Sequence, residues 1–552
     1  MPTVTLSRNV VESIIGKKLP INELKERISM LGTDLEHIDD KEIVVEVFPN
    51  RPDLLSEQGF ARALSSFLGI KTGLRKYATK KSGFKVIVDQ SVTMRPYTVC
   101  AIVKNLSFTD ERIREVMQVQ EKLSTTHGRN RKKSEYGIYP LEKIKFPITY
   151  VAKDPSTVTF QPLGFDKAVL ASMVPGHHPK GKAYKHLTAD WKEYPFFIDA
   201  EDKVLSMIPF TNSHDTGKID VDTRDVFIEC TGIDLHNVSI ALNIITTMLA
   251  DMGGTIYSLE IIYPHRKLTT PNFTPQKLKL NLHYINRLLG LNLTYSEAKK
   301  YLERMGYGVE GQNVLIPAYR ADILHQCDLL EDIAIAYGYE NISEEIPRVA
   351  TIAEEYPLNR FTTRLIELLV GAGFQETNSF HLLSHDELSK KMNAEAAVVN
   401  LKNALVDYGC LRNSILPSLL KVLAQNQHND YPQNIFEIGT AFHPDKKDVY
   451  GITEKNMCGI AMCNEKADFT TIRQVIDAFC RAFDLKCKIH EHIHPSFIEG
   501  RTAQAIVGNH ALAIFGELHP EVLGNFNLSM PVAAAEIDVD ALFEVVKEQL
   551  KC

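Results

Sequence analysis

The first seventy residues alternate strand-like and helix-like patterns. VTLSRNVVESII reads as a strand running into a helix, and INELKERISMLG as an amphipathic helix closed by Gly32. EIVVEVFP is a β-branched strand stopped at Pro49, and LLSEQGFARALSSFLG is a helix stopped at Gly69. A basic stretch with Arg75, Lys76, Lys80, Lys81 and Lys85 then reads as a linker. Residues 86–265 are mixed α/β. A helix over 110–123 takes Asp110 as its N-cap and turns Ile113, Val116, Met117 and Leu123 to one face. FFIDA, KVLSMIPF and DVFIEC predict strands, and VSIALNIITTMLADMG predicts a long apolar helix ending at Gly253. Further on, YSEAKKYLERMG predicts a helix, NVLIPAY a strand, and CDLLEDIAIAYGY a helix ended by Gly338. In the last 200 residues, RLIELLVGAGF carries an apolar stripe at Leu365, Leu368, Leu369 and Ala372. These shifts divide the chain at 1–85, 86–265, 266–347 and 348–552.

Composition narrows the class. A chain of 552 residues is long enough for several domains, and 44% hydrophobic with 24% charged residues is ordinary for a soluble globular protein. A net charge of −7 argues against coating nucleic acid by bulk charge and leaves room for a local basic patch, such as GRNRKK at 128–133. The Met1 end has no long apolar core, so no signal peptide is expected. No uninterrupted run of apolar residues is long enough for a membrane span, so no membrane partner is expected. The nine cysteines are dispersed and none forms a C-x-x-C pair, which suggests reduced thiols in the cytosol.

The sharpest chemical cluster is RADILHQCDLLED, residues 320–332. Asp328, Glu331 and Asp332 stand at i, i+3 and i+4 of a helix turn, with Asp322 just upstream. Four carboxylates near one point suit a hard divalent cation with oxygen ligands. Asp328 followed by Glu331 is also a capping box, and from spacing alone that is the stronger reading. FTNSHDTG (210–217) and VFIECTGID (226–234) offer Asn212, Ser213, Glu229, Thr231 and Asp234, which suit a pocket that reads a polar group and positions water. Ordinary polar turns explain the same residues. His177 and His178 lack a third ligand at metal spacing, and no Walker-type phosphate loop occurs.

EVFPNRPDLLSEQGFARAL (46–64), with Asn50, Arg51, Pro52 and Asp53, resembles the N-terminal domain of phenylalanyl-tRNA synthetase β subunits. QEKLSTTHGRNRKKSEYGIYPLEKI (120–144), HPKGKAYKHL (178–187) and residues 207–234 resemble the archaeal and eukaryotic branch. IPAYRADILHQCDLLEDIAIAYGYENI (316–342) is similar to the family's metal-associated domain. Residues 400–439 and 498–523 look like its synthetase-like domain. The resemblance covers nearly the whole chain, in order. It implies an α+β multidomain chain. An N-terminal α/β domain and linker (1–85) would precede a mixed α/β tRNA-editing domain (86–265) and a small helical, winged metal-associated domain (266–347). A class II synthetase-like antiparallel sheet flanked by helices (348–552) would follow.

Working class II domains grip ATP with a Phe-Arg-x-Glu motif and a later Gly-rich segment ending in Arg. Here Asn434, Ile435, Phe436 and Glu437 stand at the nearest match, and the arginines are missing. The resemblance therefore implies no aminoacylation residues on this chain. It implies a catalytic α subunit as partner in an (αβ)2 heterotetramer, ATP used by the complex, tRNA(Phe) as substrate, and a cytoplasmic location. It implies a Mg2+ ion on Asp322, Asp328, Glu331 and Asp332, with Cys327 and His325 incidental. It further implies hydrolysis of mischarged tyrosyl-tRNA in a pocket of Glu229, Asp234, Asn212, Ser213 and Thr231. The rival expectations are a free-standing tRNA deacylase and an inactive RNA-binding scaffold.

Overall fold

The computed structural model describes residues 2–349, 352–395, 397–404 and 406–549. The chain divides into two compact units, Met1–Ile346 and Pro347–Cys552.

The first unit is built on a ten-stranded mixed sheet. Its path runs Thr211–Asn212, Val204–Met207, Tyr194–Ile198, Ile148–Lys153, Thr79–Val88, Thr255–Ile262, Tyr97–Lys104, Val226–Gly232 and Ser134–Pro140, and Lys267–Thr270 pairs off the path with Thr255–Ile262. Val226–Gly232 lies inside the sheet, antiparallel to strands on both sides. Val226, Ile228 and Cys230 join the core that holds Ile245, Met248 and Leu249 of the helix Leu235–Asp251. By the two-residue alternation of a strand, Phe227, Glu229 and Thr231 take the opposite face. The helix Leu235–Asp251 is apolar nearly all round and accordingly almost wholly buried. Two smaller three-stranded sheets and the two-stranded pair Thr159–Phe160 with Val169–Leu170 also belong to the unit. One comprises Thr3–Ser7, Glu42–Glu46 and Asp34–Ile38, the other Gln276–Lys279, Asn313–Ile316 and Gly308–Glu310.

The second unit carries a seven-stranded sheet in the order Gln375–Glu376, Gln433–Pro444, Ile452–Cys463, Val532–Asp538, His510–Leu518, Phe497–Val507 and Lys488–Glu491. All its pairings are antiparallel except that of the edge strand Gln375–Glu376. Helices Pro357–Gly371, Phe469–Ala482 and Val539–Gln549 pack on one face, and Leu416–Gln425 on the other.

Several local expectations are corrected. The basic stretch is not a linker throughout, because Thr79–Val88 is a strand parallel to Thr255–Ile262. Its lysines occupy exposed positions, and the pairing jumps from Lys81 to Lys85, so no clean alternation marks it. Thr109, not Asp110, caps the helix Asp110–Thr125 through the Arg112 amide. Val116, Val119 and Leu123 form its buried row, while Met117 stays 63% exposed about a quarter-turn away. In Pro357–Gly371 the buried row is Phe361, Leu365 and Leu369, and Leu368 and Ala372 are exposed.

A buried carboxyl pins the N-terminal segment to the helix Asp110–Thr125. Glu115 accepts from the Glu57 amide at 2.8 Å and from Gln58 Nε2 at 3.3 Å. Burial, and after it the Glu57 carboxylate, pushes Glu115 up to about 7. The folded protein therefore holds this proton over a pH range where the unfolded chain has released it. The stability conferred is complete below 4.5 and is lost as pH rises through about 7. The loss is on the order of 3 kcal/mol. Gln58 Oε1 is buried without a partner, so a neutral amide at 115 has an acceptor waiting. Glu115→Gln is expected to raise the urea midpoint at pH 8 and to flatten its fall between pH 5 and 8. Parallel pH profiles for the two proteins would remove Glu115 as the titrating group.

Candidate functional site

Strand register assembles a buried polar cluster on the face of the large sheet opposite the helix Leu235–Asp251. Glu229 lies across from Cys100 on one side and Gly137 on the other, and Thr231 across from Thr98 and Glu135. The hydroxyl of Tyr139, two residues beyond Gly137, lies 3.0 Å from Glu229 Oε1 and 3.1 Å from Asn212 Oδ1, with one proton to donate between them. Asn212 is held there by pairing with Ser206. Arg95 contributes a buried guanidinium that donates to the Arg131 carbonyl.

The cluster is closed yet incompletely satisfied. Glu229 is 1% exposed, and its Oε2 has no partner. Thr231 Oγ1, Arg95 Nη1 and Arg131 Nε are likewise buried and unpaired. Each such group costs roughly 1–3 kcal/mol unless something meets it. Buried donors and acceptors left open in this way suit a polar ligand or ordered water. Burial, followed by the Glu135 charge, pushes Glu229 well above the usual carboxylate range. Burial also raises the Cys100 thiol, which keeps it un-ionised. Gly137 makes the room: a Cβ there would stand 2.6 Å from Glu229 Oε1 and closer still to the Tyr139 hydroxyl.

The loop feeding this cluster is strained. Arg129, Asn130 and Arg131 have φ of 50°, 52° and 61° in succession. The left-handed region costs a non-glycine residue roughly 1–2 kcal/mol. The result places Arg131 Nη1 on the Pro209 carbonyl at 2.9 Å and 3.4 Å from Glu135 Oε2.

The acidic turn is a second polar centre. Arg320 grips Asp322 with two hydrogen bonds, at 2.8 and 2.7 Å, and Asp332 with one at 2.8 Å. The Tyr307 hydroxyl also donates to Asp332, and the Tyr307 ring lies 5.2 Å from the guanidinium. Asp328 accepts from the Leu324 and His325 amides, and Glu331 from the Tyr339 hydroxyl at 2.9 Å. All four carboxylates border one cleft of about 810 Å3, which Arg51 and Lys133 also line. Glu331, Asp328 and Asp332 each keep an oxygen outside these bonds. The donors are all oxygen, which fits a hard cation, although no three of them converge within 4.8 Å.

Residues 278–339 match the tRNA synthetase B5 domain, and 342–539 match the phenylalanyl tRNA synthetase beta chain CLM domain. The phenylalanine–tRNA ligase beta subunit of Archaeoglobus fulgidus is 40% identical over 556 residues, covering 99% of each chain. The chain belongs to this β-subunit family. The β subunit of Pyrococcus abyssi is 37% identical over 99% of this chain and 100% of its own. A crystal structure of an N-terminal fragment of the Pyrococcus horikoshii β subunit covers 61% of this chain and all of the fragment, at a TM-score of 0.59 and 38% identity. As a member of the family, the chain is a mixed α/β multidomain subunit of a phenylalanine–tRNA ligase, and its acidic turn lies within the B5 domain.

Of the five pocket residues expected in this β subunit, Glu229, Thr231 and Asn212 come together. Asp234 does not join them. It caps the helix Leu235–Asp251 through the His236 and Asn237 amides and pairs with Lys133 at 3.1 Å. Ser213 is buried at the start of the turn helix His214–Gly217, one position out of register with Asn212, and its backbone rather than its hydroxyl makes the recorded bond to Leu205. Ser206, opposite Asn212, supplies the hydroxyl beside Tyr139 instead. In the B5 domain the cap box is also displaced. His325 is the N-cap and Asp328 its reciprocal partner, so the Asp328–Glu331 box does not form. His325 is thus structural, and Cys327 meets the Tyr284 hydroxyl at 2.8 Å. His178 caps the helix Pro179–Tyr184 and approaches the Leu163 carbonyl at 3.1 Å, which accounts for it without a metal. No helix among the described residues is long and apolar enough to cross a membrane.

Proposed function

We propose that this β subunit edits, hydrolysing tyrosyl-tRNA(Phe), while a catalytic α subunit charges tRNA(Phe) with phenylalanine at the expense of ATP in an (αβ)2 assembly. The observation that carries the editing reading is the buried cluster around Glu229, with acceptors and donors left unpaired. A synthetic pocket for phenylalanine rejects tyrosine weakly, because tyrosine merely adds a hydroxyl; a second site built to hydrogen-bond that hydroxyl discriminates far better. A neutral Glu229 can both donate to and accept from a phenol. Thr231 and Asn212 hold water near the ester, and the cluster offers no activated nucleophile of its own, so water is the attacking group.

The absence of ATP-gripping arginines supports placing the synthetic step on α. Glu437, which stands where such a motif would end, is held by Arg412 at 2.5 Å inside the second unit. We further assign Mg2+ to Asp322, Asp328, Glu331 and Asp332, where it would add to the neutralisation that Arg320 already gives Asp322 and Asp332. The buried free thiols, such as Cys100, Cys230 and Cys458, suit a cytoplasmic protein.

The test uses the chain with its α partner. The complex is expected to clear tyrosine from tyrosyl-tRNA(Phe), and the β chain alone to show no phenylalanine-dependent ATP–pyrophosphate exchange. Gly137→Ala, which drives a methyl group against Tyr139 and Glu229, is expected to slow clearance by more than tenfold and to cost about 1–3 kcal/mol of stability. Exchange by β alone, or clearance untouched by Gly137→Ala, would each defeat its half of the reading.

A further inference from the structure

The small N-terminal sheet carries a cluster that none of the chemistry above uses. On the hairpin of Asp34–Ile38 and Glu42–Glu46, one ligand atom each of His37, Asp39 and Glu42 lies within 4.8 Å of the other two. A β-bulge brings His37 into the set. Pairing runs from Leu35 opposite Val45 to His37 opposite Val44, so Glu36 is the extra residue. Leu35, Ile38, Ile43 and Val45 all face the core. Strict alternation from Leu35 would turn His37 inward as well. The bulge leaves it exposed, on the face where Glu42 stands.

The turn between the strands fixes Asp39. Its Oδ1 accepts from the Lys41 and Glu42 amides at 2.7 and 2.8 Å, and its own amide donates to the Glu42 carbonyl at 3.0 Å. Arg8 holds the same turn by donating to the Asp39 carbonyl at 3.1 Å. The other carboxylate oxygen, Oδ2, faces His37 Nε2 at 3.6 Å. Two ligands of a tetrahedral zinc ion, each about 2.0–2.1 Å from the metal, stand roughly 3.3–3.4 Å apart. The His37–Asp39 edge is therefore close to that spacing before any ion is bound. Glu42 is half-buried and makes no ion pair among the described residues, so its carboxylate is available to close the remaining edges by side-chain rotation.

We propose that His37, Asp39 and Glu42 form a zinc site that staples the N-terminal hairpin. One imidazole nitrogen with two carboxylates suits zinc, whereas magnesium and calcium take all-oxygen sets such as the acidic turn of the B5 domain. The two carboxylates balance the charge of the ion, and three protein ligands leave its fourth position to water. The ion ties the bulged strand to its neighbour beside the place where their ladder is interrupted. The site stands independently of the editing reading and of the magnesium assignment.

Two measurements on the α–β complex test it. The complex is stripped with a chelator, returned to millimolar magnesium to satisfy oxygen-only sites, and titrated with zinc by calorimetry. Wild type is expected to bind one equivalent more than His37→Ala at micromolar zinc. Glu42→Gln is expected to weaken that equivalent by at least about 10- to 100-fold, the range seen when even an outer partner of a metal ligand is lost. Both side chains lie at the surface or half-buried, so the metal-free variants are expected to keep the wild-type circular dichroism and urea midpoint. Equal zinc stoichiometry and affinity in wild type and His37→Ala would mean adventitious zinc only and would overturn the proposal. Crystals of the complex grown with zinc are then measured at the zinc absorption edge. An anomalous peak among His37, Asp39 and Glu42 is expected, and peaks at other histidines with none here would overturn the proposal.

Discussion

Glu229→Ala in the α–β complex is expected to slow tyrosyl-tRNA(Phe) hydrolysis by roughly 100-fold or more, while phenylalanine charging stays within about twofold of wild type. The size follows from the position of the carboxyl. It is the most deeply buried acid of the cluster, one oxygen bonded to Tyr139 and the other unpaired. Removing it deletes the group proposed to read the phenol and releases Tyr139 from its place beside Glu229. Burial and the Glu135 charge hold Glu229 above the ordinary carboxylate range, in the direction that favours the neutral form its proposed role needs. Glu229→Gln keeps a neutral donor and acceptor of the same length. It is expected to retain a substantial part of the clearance and to lose the fall in rate expected of wild type as rising pH ionises Glu229. Hydrolysis by Glu229→Ala within a few-fold of wild type would take the carboxyl out of the site. Circular dichroism of the variant separates that outcome from a folding defect.

The chain order of elements was largely legible, because long periodic segments such as Leu235–Asp251 carry their pattern whatever surrounds them. The site was legible only where it was local. Glu229 signals itself as a single acid inside the apolar strand VFIECTG, and Thr231 follows at the same-face spacing. Tyr139, Gly137 and Glu135 come from a strand about 90 positions away and join only through strand register, and Arg95 comes from the bend before the strand Tyr97–Lys104, none of which a short window contains. Asp234 was drawn into the expected pocket because a helix N-cap and a polar ligand call for the same residue type. The strand Thr79–Val88 hid behind its lysines for a related reason. A solvent-facing run of charge and a linker look alike until a partner strand is known.

Arg320→Ala is expected to destabilise the Met1–Ile346 unit by about 3–5 kcal/mol, the usual cost of leaving a buried charge uncompensated. Asp322 and Asp332 are 10% and 7% exposed, and this one guanidinium neutralises both. The nearby Arg51 cannot replace it, being already committed to Asp53 through two bonds of 2.9 Å. The same substitution tests the metal assignment, because Arg320 and a divalent cation compete to neutralise one set of carboxylates. With Arg320 present, millimolar magnesium is expected to add little stability to β alone, since both Asp322 oxygens are engaged. With Arg320 gone, the four oxygen donors face the cleft uncompensated, and the urea midpoint should climb with magnesium concentration in the logarithmic manner of ligand binding to the native state. Arg320→Lys keeps a point charge without the fork, so it should fall between the two and serve if the alanine variant does not fold. An alanine variant within about 1 kcal/mol of wild type would mean that water, not Arg320, compensates these carboxylates. A destabilised variant indifferent to magnesium would leave the turn as a guanidinium-bound cap box and withdraw Asp322, Asp328, Glu331 and Asp332 as metal ligands.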